Sequence, residues 1–132
     1  MQTAESLAIV RAWVEAANAQ DAERLIALSD PHIEVGGPRG SGFGHALLRD
    51  WLARAGLSLT TLRTFARGGT VVAEQRGVWH APESANVVGE QTVASVFVVD
   101  GRRVVRFARY DTLRAALAAA GLDQADEVRL AG

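Results

Sequence analysis

Cysteine is absent from this 132-residue chain, which excludes disulfides and thiolate metal sites and leaves no redox compartment indicated. A charge excess is absent too: 14 basic residues against 15 acidic ones give a formal net charge of -1, so nothing marks a nucleic acid or an acidic membrane surface as a partner. No apolar run approaches the roughly 18 residues of a membrane span. The opening residues, Met1-Gln2-Thr3-Ala4-Glu5, lack the basic start and apolar stretch of a secretory signal. Internal repeats are lacking, and so are linkers. With 48% apolar and 22% charged residues, the expectation is an ordinary globular protein, one domain over 1–132 with a cytoplasmic location.

What is present is dominated by three β-rich runs, 70–80, 87–99 and 102–111. Asp100-Gly101 between the last two is a strong hairpin signal, because both central residues of a type I′ turn need positive φ. Gly68-Gly69 joins a preceding strand over 59–67 to the first run. Everything earlier reads as mostly helical. Leu7, Val10, Trp13, Val14 and Ala17 recur at helical spacing over 3–17. Asp21 is placed to cap a short helix over 22–29, which Asp30-Pro31 ends because proline brings no amide donor and disfavours helical geometry in its predecessor. A short strand follows at 32–35. The glycine-rich run 36–44 lacks the Gly-Lys-Ser/Thr ending of a phosphate loop and reads as a flexible loop able to rim a pocket. A third helix over 45–55 carries Leu47, Leu48, Trp51 and Leu52 on one stripe and stops at Gly56. Thr112 can cap a closing helix that ends at Gly121, and the tail from 123 reads as loosely held. Helices first and an antiparallel meander second describe an α+β plan.

In its order of elements the chain resembles the nuclear transport factor 2-like superfamily. The likeness is carried by Ile9-Val10-Arg11-Ala12-Trp13, Ala19-Gln20-Asp21, Leu25-Ile26-Ala27-Leu28 and Ile33-Glu34 at the start. At the end it is carried by Ser95-Val96-Phe97-Val98-Val99-Asp100-Gly101, Val104-Val105 and Tyr110-Asp111-Thr112-Leu113-Arg114. That resemblance implies a curved antiparallel sheet wrapped around N-terminal helices as a cone, a small-molecule cavity and a homodimer through the outer sheet face. It does not transfer the catalytic centres of the known relatives. Where ketosteroid isomerases carry proton-handling groups, this chain has Val35, Trp13 and Ala94. Of the Asp-Arg-Asp arrangement in limonene epoxide hydrolase-like enzymes, only Arg76 is matched, with Val78 and Arg109 in place of the acids. Scytalone dehydratase uses a histidine pair, and here His80 alone is suitably placed. A SnoaL-like cyclase relies on an inward acid, a role open to Asp111 or Glu90.

Alternate strand residues share a face. Counting from Val72 as inward puts Glu74, Arg76, Val78 and His80 inside, with Val88, Glu90, Thr92, Ala94 and Val96 on the next strand. On the last strand it puts Arg103, Val105, Phe107, Arg109 and Asp111 inside. The candidate bases are therefore Glu74, Glu90, Asp111 and His80. The candidate ligand-binding set is Trp13, Val35, Trp51, Arg76, Phe107 and Arg109. Arginine suits a ligand carboxylate because its planar fork binds two oxygens at once. His32 and His45 have no metal-ligand spacing, so neither metal nor cofactor is expected. The functional expectation is a SnoaL-like protein binding a small organic molecule, a lyase, isomerase or cyclase if a carboxylate serves as base. The alternative is a non-catalytic dimerisation or protein-interaction module.

Overall fold

The computed structural model describes residues 3–37, 40–81 and 86–128. Helix α1 (Thr3–Asn18) buries Val10, Trp13, Val14 and Ala17 along one face, as the spacing predicts. Its C-terminus is pinned to the sheet by Asn18, whose Nδ2 donates to the Leu59 carbonyl at 2.8 Å while its Oδ1 accepts from the Leu59 amide at 2.8 Å. Helix α2 (Ala22–Ala27) starts on Asp21, which accepts from the Arg24 amide at 3.1 Å and so satisfies one of the helix's unpaired donors. Helix α3 (His45–Ala55) ends at Gly56, whose φ of 53° and close approach to the His80 carbonyl both exclude a side chain. Helix α4 (Leu113–Ala120) is capped by Thr112 and closed by Gly121 in the left-handed conformation.

Seven strands form one sheet in the order β2-β1-β6-β5-β4-β3-β7. They are β1 (Ser29–Gly37), β2 (Gly40–Phe43), β3 (Leu57–Arg67), β4 (Thr70–His80), β5 (Val87–Asp100), β6 (Arg103–Tyr110) and β7 (Glu127–Val128). The sheet is mixed, since β1 joins β6 in parallel while the other pairs are antiparallel. The run expected as a loop is instead largely a hairpin: Val35 faces Gly42 and Gly36 faces Ser41 across β1 and β2. Residues 38 and 39 of that run lie outside the described residues. The glycines allow tight stacking here. A Cβ on Gly42 would strike the Leu47 side chain of α3, and one on Gly37 would sit 3.0 Å from the Arg109 carbonyl oxygen.

The β5–β6 hairpin departs from the alternation in two ways, and the second overturns the face assignment. The turn sits one residue later than Asp100-Gly101, with Gly101 (φ 58°) and Arg102 (φ 67°) at its centre. By itself that shift preserves which residues share a face. The register then slips: Val99 pairs with Val104 but Val98 with Arg106, so Val105 is an extra residue on β6. A bulge of this kind exchanges the faces beyond it. Phe107 consequently pairs with Phe97 and Arg109 with Ser95, while Val96 pairs with Ala108.

The inner face packs on α1 and α3 through Val71, Ala73, Val93, Phe97 and Phe107. The outer face meets α4 through Phe65, Val72, Ala94 and Val96 against Ala116 and Leu117. The tail is also more ordered than expected up to Val128. Arg63 grips Glu127 with both ends of its fork (3.1 and 3.0 Å), and Arg67 grips Asp126 (3.1 and 2.7 Å). The Asp123 amide and then Arg67 hold the Asp126 carboxyl below the usual carboxylate range. Residues 129–132 lie outside the described residues, and among the described ones no helix is long and apolar enough to cross a membrane.

Candidate functional site

The glycine hairpin, α3 and the ends of β4 and β6 enclose an open cleft of about 960 Å³. Each element contributes for a local reason. The hairpin supplies Val35, Gly36, Gly37, Ser41 and Gly42, a wall almost without side chains. The α3 stripe supplies Leu47 and Trp51, with Arg54 one turn further on. Strand β4 delivers Trp79, and β6 delivers Phe107 and Arg109, with Asp111 just beyond its end.

Beneath the cleft the cone is filled. Trp13 lies 4.7 Å from Phe107 and 5.4 Å from Phe97 between ring centroids, and Trp51 lies 5.2 Å from Phe107. Trp13 has no exposure, and its indole N–H donates to Ser29 Oγ at 2.9 Å, which in turn donates to the Leu25 carbonyl at 2.7 Å. Each buried polar atom of this chain of bonds therefore has a partner. The aromatic cluster is a floor, and the accessible volume lies above it.

Of the residues singled out in the sequence, Val35, Trp51, Phe107, Arg109 and Asp111 come together in this cleft. Trp13 is one layer below them. Glu74, Arg76 and Glu90 lie across the sheet: Glu74 is opposite Ala94 in register and Arg76 opposite Thr92, on the side that carries α4. There Arg76 and Glu90 form an ion pair with each other, both about half exposed. Val72, counted as inward, faces α4 and takes the β4 and β5 set outside with it, while the bulge at Val105 turns the β6 set toward the other helices. His80 directs Nε2 to Ser58 Oγ at 3.4 Å and does not line the cleft. His45 holds the Ser29 carbonyl at 3.0 Å. No cluster among the described residues has the three His, Asp or Glu groups that would hold a metal.

Trp79 and Arg54 were not anticipated. The Trp79 ring carries the Arg109 guanidinium, whose central carbon is 5.4 Å from the ring centroid. Correct face parity was the signal that would have found Trp79, since it shares the inner face with Gln75 and Val93, a pair matched in register. The arrangement joins an aromatic floor to one cationic fork and one carboxylate, the usual composition of a site that orients an organic ligand.

A cone of helices and curved sheet with a cleft at its mouth is the nuclear transport factor 2-like class of fold. Residues 10–107 match the family model of the SnoaL-like domain, and the chain belongs to that family. It is similar in structure to a nuclear transport factor 2-like protein of Burkholderia xenovorans (22% identity, TM-score 0.68, covering 91% of this chain and 98% of that one). It is also similar to TerC co-crystallised with polyporic acid (15%, TM-score 0.70, 88% and 97%). A third is an LEH-like epoxide hydrolase of M. tuberculosis (20%, TM-score 0.69, 89% and 90%). At these identities the likeness is one of fold. No curated protein matches the sequence.

Proposed function

We propose that residues 1–132 are a single cytoplasmic domain that binds a small organic molecule in the cleft between the glycine hairpin and α3. The observation that carries this reading is the union, in about 960 Å³, of an aromatic floor with Arg109 and Asp111 at its polar end. TerC, of the same fold, was co-crystallised with polyporic acid, which supports small-molecule binding here. Asp111 is the one carboxylate lining the cleft among the described residues, so it is the base of any lyase, isomerase or cyclase activity. Native mass spectrometry of the purified protein tests the reading. The wild type is expected to retain an organic mass that Leu47→Trp, which adds a bulky ring to the cleft lining, does not. Equal retention by both proteins would remove the cleft as the site.

A second reading, a dimerisation or protein-interaction module, is favoured by the outer sheet face. Its charges Arg76 and Glu90 satisfy each other, and the register sets two exposed apolar residues on that face, Val87 (57% exposed) and Phe43 (66%). On this reading a homodimer forms there. The same spectra report it as a doubled mass, and a monomer at micromolar concentration would exclude it.

A further inference from the structure

We infer that the ligand of the cleft is a flat, unsaturated carboxylate with a single negative group, received by Arg109. This rests on the cleft reading above and adds the chemical class.

Three described arginines are half-buried: Arg63, Arg106 and Arg109. Two of them hold a carboxylate of the chain. Arg63 takes Glu127 at 3.0 Å, and Arg106 takes Glu34 at 3.6 Å and also donates to the Tyr110 hydroxyl at 3.1 Å. Arg109 makes no ion pair or hydrogen bond from its side chain among the described residues; its only partner there is the face of Trp79. A guanidinium drawn partly out of water needs a counter-charge, and the fold supplies one in two cases out of three. Lying over a ring occupies the π-face of the fork and leaves its in-plane N–H donors open, the geometry that suits two carboxylate oxygens.

The charge of the cleft points the same way. Among the described residues Arg54 and Arg109 face one carboxylate, Asp111, so the described lining is cationic by one charge although the whole chain has a net charge of -1. Asp111 stands two residues from Arg109 on the same lining, where it disfavours a second acid and can accept from a ligand hydroxyl. The body of the ligand is set by Trp51, Trp79 and Phe107 together with the bare backbone of the hairpin, surfaces that select a flat ring over a bulky branched chain.

The test uses the intact chain and three probes of one shape: 2-naphthoate, 2-naphthylmethanol and 2-naphthylmethylamine. The chain has three tryptophans and therefore three indole N–H signals in a nitrogen-correlated NMR spectrum. Trp13, buried and bonded to Ser29, is the internal reference for folding, while Trp51 and Trp79 report the cleft. The expected result is that naphthoate shifts Trp51 and Trp79 but not Trp13, binds about tenfold or more tighter than the alcohol, and leaves the amine weakest. Arg109→Gln should remove that preference and keep alcohol binding, with Arg109→Lys in between because it retains the charge and loses the fork. Equal affinity for acid and alcohol, or a preference unchanged in Arg109→Gln, would overturn the carboxylate and leave the cleft standing. Silence of Trp51 and Trp79 toward all three probes would overturn the cleft itself, and the inference with it.

Discussion

The two ends of the sheet treat their charges in opposite ways. At the end closed by the C-terminal strap, Arg63 and Arg67 are tied bidentately to Glu127 and Asp126, and the strap adds a strand to β3 at Thr64 and Phe65. At the cleft end, Arg109 rests on an indole and neither it nor Asp111 has an ionic partner among the described residues. Paired charges fasten chain to chain, whereas unpaired charges above a rigid floor are addressed to something else. Fold and site can thus be told apart within one sheet by asking which ions are already answered. The comparison can be broken or sharpened at three levels.

The largest effect is expected at the floor. Trp13→Ala removes the centre of the aromatic cluster and leaves a void among Trp51, Phe97 and Phe107. Such a truncation costs about 3–5 kcal/mol, read as a shift in the urea midpoint followed by circular dichroism. A loss under about 1 kcal/mol would mean that the floor is loosely packed, and the contrast between a rigid base and an open site would fail.

Much of this architecture is legible in the residues. The stop at Gly56, the turn at Gly68-Gly69, the cap at Thr112 and the full span of α3 all follow from local chemistry, in which one residue type satisfies one backbone requirement. The site is only partly legible, and the reason is long-range. One extra residue, Val105, decides whether Glu74, Arg76 and Glu90 share a face with Arg109, and nothing in the alternation of Arg102 to Asp111 announces it. The hairpin 36–43 is hidden differently. Its glycines carry no strand propensity, and their pairing is imposed by α3 and β6, which only glycine lets approach so closely. The SnoaL-like domain match contributes the family and the fold, whereas the ion pairing that separates the two ends of the sheet comes from the tertiary structure.

The next effect is smaller and separates an answered arginine from an open one. Arg106→Gln strands Glu34 and takes a donor from Tyr110, two half-buried groups that have no other route to that charge. A cost of about 1–2 kcal/mol is expected, again from the urea midpoint.

The smallest effect on stability belongs to the residue expected to matter most for binding. Arg109→Gln leaves no carboxylate stranded, because none is held, and gives up only the contact with Trp79, worth about 0.5–1 kcal/mol at a partly exposed site. Removal of the open charge also relieves the uncompensated desolvation of the guanidinium, so the net loss should fall at or below the lower end of that range. Stability and affinity then separate: one variant changes the fold and the other changes the ligand. If Arg109→Gln proved as destabilising as Arg106→Gln, Arg109 would be a structural residue like its two half-buried counterparts, and the distinction between the paired and the open end of the sheet would collapse.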